Sequence, residues 1–226
     1  VTSVPSRFEE LPNLPPTSWA ILCMLAYEEE VSGYDIKKWA DWSLRHYYWS
    51  PSFSQVYSEL KRVEQHGYAT SWMADGEGGR NRRVYKITDA GRRAVRIWAL
   101  DSPVDPPMLK HGVILRTAFG HLSTPEQLKA MLTEHVARMD ELQHRVAVDA
   151  AAAEAEPAWA YARIAMRWAE RYYASERELA LELMDEIDTA EQVFRSGASV
   201  GESFPKPRPG HWREVEQQVQ AGEHDD

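Results

Sequence analysis

Ser52, Ser54, Gln55 and Ser58 bring small hydroxyl and amide groups mostly to one side of a short helical stretch. Side chains this short can approach a flat hydrogen-bonding surface closely. The glutamine amide is suited to bond adenine in two places along its exposed edge. Lys61 and Arg62 lie further along the same stretch, where long cationic side chains fit phosphate better than a base edge. A second basic group follows in Arg80–Arg96, with seven Lys and Arg against the single acid Asp89. Within it Arg80, Arg82, Arg83 and Lys86 could lie along a phosphodiester backbone, or place one arginine in a minor groove. The combined chemistry is that of double-stranded DNA read by one helix and held by a neighbouring basic segment.

The element that must position the first group is Ser50–Gly67, SPSFSQVYSELKRVEQHG. Phe53, Val56, Tyr57, Leu60 and Val63 recur at helical spacing as its inward stripe, which leaves Glu59 and Arg62 with the serines and Gln55 outside. Two starts are open: Ser50 caps with Pro51 at the first position, or Ser52 caps with Gln55 reaching back. Gly67 supplies the stop. Upstream, Thr17–Tyr27 reads as a helix capped by Thr17 or Ser18 and apolar nearly all round, so it must be buried on more than one side. The Glu28–Glu30 tract and the Ser32-Gly33 turn end it. Tyr34–Arg45 is a second helix with Ile36, Trp39, Ala40 and Leu44 inward.

After Gly67 the period changes. Tyr68–Met73 and Arg82–Ile87 flank the glycine-rich tip Ala74–Asn81, which predicts a two-stranded β-hairpin with Tyr85 and Ile87 toward the core and Arg82 and Lys86 toward solvent. Thr88 then caps a helix running to about Leu100. Three helices followed by a two-stranded wing is the order of a winged helix-turn-helix. Several blocks also resemble one family in order and spacing: Thr17–Leu25, Gly33-Tyr34-Asp35-Ile36, Tyr57–Tyr68 (YSELKRVEQHGY) and Val84–Gly91 (VYKITDAG) are similar to the PadR-like transcriptional regulators over roughly 17–98. The aromatic run Tyr47-Tyr48-Trp49 and the glycine-rich wing tip depart from the family pattern. The larger members of that family pair two chains through a helical C-terminal domain, and the resemblance implies the same here.

The expected organisation is mainly α: an arm over 1–16, a winged helix-turn-helix domain over 17–100, a proline-marked linker over 101–107, an α-helical dimerisation domain over 108–195 and a tail over 196–226 without regular structure, in which Phe204 and Trp212 could dock locally. Helices are expected over Met108–His121, from Pro125 to Ala153 behind Thr124 or Ser123, and from Pro157 to about Arg195. Leu128, Leu132, His135, Met139, Leu142 and Val146 form one seam of the helical part. Tyr161, Ala165, Trp168, Tyr172, Leu179, Leu183, Ala190 and Phe194 form another. Seams this long call for partners, and a second copy of the chain satisfies them more easily than the chain alone. The residues taken for dimerisation are Leu128, Leu132, Met139, Tyr161, Trp168, Tyr172, Leu179 and Leu183.

The net charge of −9 speaks against nucleic acid until its distribution is considered. Thr17–Trp98 holds twelve Lys and Arg against ten Asp and Glu, and the rest of the chain holds fourteen against twenty-five. A locally basic face on an acidic protein suits a regulator that touches phosphate in one place. The stretch shows neither a membrane-length apolar run nor a signal-peptide pattern, so a cytoplasmic location and no membrane partner are expected. Cys23, the one cysteine, sits among Ile21, Leu22, Met24 and Leu25 and reads as a buried thiol. The eight histidines show no HxxxH pair or Cys/His cluster, so no metal and no other cofactor is expected. His135 and His144 read as seam residues. No Ser/His/Asp set, paired carboxylates or phosphate loop stands out, which excludes an enzyme on these residues.

Trp39, Trp42, Tyr48 and Trp49, with Tyr47 and Trp98 nearby, read first as core and interface packing. The functional alternative is a flat aromatic effector stacked between their rings, which shifts the spacing of two reading helices and releases a repressor from a palindromic operator. A different class of reading keeps the winged fold but makes it a protein–protein adaptor without sequence-specific DNA binding.

Overall fold

The computed structural model describes residues 11–27, 30–75, 81–104, 106–197, 205 and 210–222. Packing divides the chain into two compact units, Val1–Leu109 with Glu141–Ala174 and Lys110–Asp140 with Ser175–Asp226. The division differs from one drawn at the 101–107 prolines because two long helices each contribute a segment to both units. Glycines 76 and 78–79 of the wing tip, Arg80, Phe204 and most of the 1–16 arm lie outside the described residues. Among the described residues no helix is long and apolar enough to cross a membrane.

In the first unit α1 (Pro16–Leu25) begins on a proline, whose missing N–H matters least at a helix start, and has no side-chain cap. Thr17 and Ser18, expected as caps, are both buried, and the Ser18 hydroxyl donates to the Glu59 carboxylate. β1 (Val31–Ser32) follows, then α2 (Gly33–Trp42), where Ser32 and Asp35 close a capping box with bonds of 3.1 and 3.2 Å. The helix stops short of the expected Arg45, and Leu44–His46 forms a 3₁₀ turn instead. α3 (Phe53–Gln65) takes the Ser52 start of the two available, and Gly67 ends it at φ +72°, a backbone setting that favours glycine.

β2 (Ala69–Ala74) and β3 (Arg82–Ile87) form the wing, and β1 pairs with β3 to give an antiparallel sheet of order β1-β3-β2. The wing was expected to have two strands; β1 was missed because two residues inside a turn signal carry no periodicity. Thr88 caps α4 (Asp89–Asp101), accepting from the Gly91 amide at 3.0 Å. Gly91 has no room for a side chain, since a Cβ there would lie 2.2 Å from the Tyr68 carbonyl oxygen. Ile21, Leu22, Leu25, Ile36, Leu60 and Val63 are fully buried at the centre of this head.

The inward face of α3 differs from the expected stripe. Val56, Leu60 and Val63 are buried as expected, but Phe53 and Tyr57 are exposed and Glu59 is buried in their place. Two partners make that burial tolerable. Arg62 donates to both Glu59 oxygens at 2.8 and 2.7 Å, and Ser18 donates from α1. Tyr57 instead lies across Gly33, where a Cβ would meet its ring at 2.5 Å.

A second small core in this unit joins Val146 and Ala150 of α6 (Pro125–Ala152) to Met166 and Ala169 of α7 (Ala160–Ser196), with Trp42 and Tyr47 packed against them. His46 sits at this junction. Its Nε2 lies 2.7 Å from Asp149, whose carboxylate also meets Arg45 at 3.2 Å, and its backbone carbonyl accepts from the Tyr173 hydroxyl at 2.8 Å. Its Nδ1 is buried without a hydrogen-bond partner among the described residues. That arrangement fits a neutral ring donating from Nε2.

The second unit holds α5 (Gly112–Ala118), with Leu128, Leu132, Ala180 and Ile187 as its core. The helix expected over Met108–His121 is shorter because Met108 and Leu109, just after two prolines, are exposed and unstructured, and Gly120–Leu122 is a 3₁₀ turn. Thr124 caps α6 by a reciprocal exchange with Gln127 at 3.0 and 3.3 Å. His211–Gly222 forms α8 within the stretch expected to lack regular structure.

The buried Glu59 gives a first expectation. Glu59→Ala strands Ser18 and Arg62 and should lower stability by about 1–3 kcal/mol in urea denaturation; an unchanged midpoint would contradict its role. His46 gives a second. Burial lowers its pKa, and although the Asp149 hydrogen bond raises it, Arg45 adds to the lowering. The unfolded chain therefore takes up this proton first, so stability should fall as pH drops from about 6.5 toward the lower folded value. Denaturation midpoints between pH 7.5 and 5.5 check this: His46→Gln should show a shallower decline than the parent, and parallel slopes would refute it.

Candidate nucleic-acid interface

The N-terminal turn of α3 presents Ser52, Ser54, Gln55 and Ser58 to solvent together, as the spacing predicts. None of the four is idle. Gln55 Oε1 accepts from the Ser52 amide at 2.8 Å, and Ser52 Oγ accepts from the Gln55 amide at 3.3 Å. Ser52 and Ser54 hydroxyls lie 3.0 Å apart, and Ser58 donates to the Gln55 carbonyl at 3.0 Å. The capping box thus commits the Gln55 carbonyl oxygen. Two-point bonding to adenine is unavailable while the box is closed, and the amide NH₂ remains as the outward donor.

Phe53 and Tyr57 share this outward face. Phe53 stacks on Tyr34 of α2 with centroids 6.0 Å apart, and Lys37 and Lys38 lie 5.7 and 5.4 Å from the Phe53 and Tyr34 rings. Sequence spacing concealed these aromatics, because Phe53 and Tyr57 fall in the same i, i+3, i+4 series as the buried residues. Lys61 is exposed beside them. Arg62, expected at phosphate, donates its Nη1 to both Glu59 oxygens while its side chain stays 41% exposed.

On the wing Arg82 and Arg83 are exposed and only loosely held, Arg82 by Asp35 and Arg83 by Ser71, each at 3.5 Å. Lys86 is half-buried. The solvent side of β3 is not an unbroken basic ribbon, since Val84 lies between Arg82 and Lys86, is buried, and pairs with Trp72 across the hairpin. Val84 is flanked on that side by its register partners, Ser32 of β1 and Trp72 of β2.

The aromatic residues divide. Trp39 and Tyr48, with Tyr47 and Trp98, line a cavity of about 430 Å³ in the first unit. Trp42 turns instead toward Trp159, with centroids 4.8 Å apart, and Trp49 packs against Tyr48 at 4.7 Å. Trp159 and Tyr161 also line the cavity, although sequence reasoning placed Tyr161 in a pairing seam. The described lining contains no Lys, Arg, His, Asp or Glu. Burial pushes the Cys23 thiol up to about 11 and raises the Tyr47 and Tyr48 phenols, so these groups stay neutral and offer weak or neutral donors. Cys23 is half-buried and inert, not fully enclosed.

The dimerisation residues also separate. Leu128, Leu132 and Met139 are buried within this chain, and Leu183 is half-buried, so they are spent on its own packing. Tyr161, Trp168 and Tyr172 are 80%, 58% and 40% exposed, and Leu179 is exposed too. The inward side of α7 is Met166, Ala169, Ala180 and Ile187. Of the expected seam on α7, Tyr161, Trp168, Tyr172 and Leu179 thus face solvent, while Ala165, Leu183 and Phe194 are half-buried.

Comparison with known proteins agrees with this geometry. The family described as Transcriptional regulator PadR-like matches residues 21–97. The negative transcriptional regulator PadR of Bacillus subtilis is 27% identical over 129 residues, covering 55% of this chain and 70% of the relative. The fold resembles that of Bacillus subtilis PadR solved with operator DNA, with a TM-score of 0.68 at 19% identity over 76% of this chain and 99% of that one. It also resembles the same protein solved with p-coumaric acid, with a TM-score of 0.61 at 20% identity over 76% and 98%. The capped, outward helix and the basic wing both lie within residues 21–97, the part of the chain that matches the PadR-like family of transcriptional regulators.

Proposed function

We propose that the chain is a homodimeric repressor that reads a palindromic operator with the first turn of α3 and is released by an uncharged planar aromatic molecule. The observation that carries the reading is the exposure of Ser52, Ser54, Gln55 and Ser58 at one helix start beside Arg82 and Arg83 of the wing. A helix enters the major groove with its N-terminal residues at the base edges, so the Gln55 NH₂ and the serine hydroxyls read, while Lys61, Arg82, Arg83 and the half-buried Lys86 hold phosphate. Arg80 is assigned to the same grip from its place in the sequence. The exposed Tyr161, Trp168 and Tyr172 supply an apolar face for a second copy, and twofold pairing sets half-sites about one helical turn apart. Bacillus subtilis PadR is a negative regulator that has been solved with operator DNA, which supports the assignment to repression.

The effector site is the aromatic cavity, with Trp39 and Tyr48 as the stacking groups. Trp42 and Trp49, facing away, shape its neighbours. Bacillus subtilis PadR has been solved with p-coumaric acid, but a carboxylate in this cavity would lie among rings without a cationic partner, and burying an unpaired charge is costly. A neutral ring with one hydroxyl fits better, bonded by the Tyr47 or Tyr48 phenol. Release requires the ligand to favour one arrangement of the two heads over another; tight binding alone shifts nothing.

Gln55→Glu separates capping from reading, because glutamate serves the capping box equally well but replaces the NH₂ donor with an acceptor. The variant should keep its stability and lose preference for the operator over a scrambled fragment by about 1–3 kcal/mol in a competition binding assay. Lys61→Ala should weaken both fragments alike and reduce the salt slope by about 1. If both variants weaken all fragments equally, the division of labour is wrong, and if the parent binds neither fragment the adaptor reading replaces this one. Tryptophan fluorescence tests the effector: uncharged phenols should quench it more tightly than their carboxylated analogues, with the effect reduced in Tyr48→Ala. Tighter binding of the carboxylates would overturn the cavity assignment.

A further inference from the structure

We propose that His111, His135 and Glu176 form a divalent transition-metal site in the second unit, of the kind that suits zinc. No contiguous motif announces it, because the ligands come from the residue before α5, from the first half of α6 and from the middle of α7. The packing of that unit brings them together. His111 Nε2 and His135 Nε2 lie 2.6 and 3.0 Å from the same oxygen, Glu176 Oε1, and the three ligand atoms are all within 4.8 Å of one another. The rings stand edge to face, with centroids 5.3 Å apart at 73°. All three side chains are only 12–13% exposed.

The grouping is tight enough to share one ion, since both ring nitrogens meet the same carboxylate oxygen and the three atoms lie within 4.8 Å of one another. Two neutral imidazoles and one carboxylate are a common three-ligand zinc set that leaves a fourth position open. Tetrahedral bonds of about 2.0–2.1 Å place ligands about 3.3 Å apart, so each nitrogen must draw back from Glu176 Oε1 by less than an ångström to admit the ion. The cleft beside the two histidines is lined by Lys110, Arg116 and Arg138. An anion drawn from solution, or hydroxide, is therefore the natural fourth ligand.

Loading has a proton consequence. His111 Nδ1 accepts from the Ile114 amide at 3.2 Å, so the ring carries its proton on Nε2 without metal. When the ion takes Nε2, that proton must transfer to Nδ1 by tautomer exchange. Nδ1 of His111 then can no longer accept, and the cap on α5 is exchanged for coordination that ties its start to α6 and α7.

The test is titration of chelator-treated full-length protein with Co(II) and Zn(II). The expected result is one equivalent per chain, with the visible d–d absorption of four- or five-coordinate Co(II), no thiolate charge-transfer band, and displacement by Zn(II). His135→Gln and Glu176→Gln should each lose more than the ~10–100-fold in affinity that an outer-shell partner costs, with the exposed His144→Gln retaining it and circular dichroism confirming helix content. Faster exchange of the Ile114 amide on loading is the accompanying signature in the parent protein. Absence of a low-coordinate Co(II) spectrum in the parent overturns the proposal whatever the variants do. So does a spectrum that His135→Gln and Glu176→Gln leave intact, which would mean adventitious binding elsewhere.

Discussion

A carboxylate buried beneath α3 decides how that helix is presented. Glu59 points into the head, where Ser18 of α1 and Arg62 of α3 complete its hydrogen bonds. An unpaired charge at that depth could not be accommodated, so the three groups act as one unit and set the rotation of α3 against α1. With Glu59, Val56, Leu60 and Val63 inward, the serines and Gln55 must face outward, and Phe53 and Tyr57 must follow them. The same pairing ties Nη1 of Arg62 to Glu59. One buried ion pair thus fixes the composition of the outward face.

That dependence also explains which parts of the chain were legible beforehand. The helix start at Thr88 could be read directly because its chemistry is local, and at Ser52 and Thr124, where two caps stood open, reciprocal side-chain bonds mark the one used. The rotation of α3 could not, since a stripe of Phe53, Val56, Tyr57, Leu60 and Val63 is more apolar than the face the head buries. Only the partners of Glu59, one of them 41 residues away, decide between the two. The third strand escaped notice for the opposite reason: Val31–Ser32 is too short to show a period, and its pairing with Tyr85 and Val84 is visible only in three dimensions. On α7 the bulky residues carry the visible period, while the close packing within the chain uses the small Ala169 and Ala180 and leaves Trp168 and Tyr172 stacked on the outer face, with centroids 5.5 Å apart.

In the proposed mechanism the first unit places ligand chemistry and DNA chemistry within one packed body. The cavity is walled by α1, by the turn after α2 and by the start of α7. Tyr47 stands both in its lining and against the Val146 and Met166 core, and its neighbour His46 is tied to Asp149 and Tyr173. A ring that wedges between Trp39 and Tyr48 therefore presses on residues that also anchor the long helices. Because cores of this kind repack in discrete steps and do not deform smoothly, a small displacement there can select between two pairings of the heads. The neutrality of the lining then sets the class of molecule that can do so.

The central claim is that two copies of α3 read DNA sequence together. Selection of bound fragments from the source genome by the purified full-length protein tests it most directly. The account predicts enrichment of inverted repeats whose half-site centres are about 10 base pairs, or one helical turn, apart. Recovery of fragments with no shared sequence, or of single unrepeated half-sites, would contradict it.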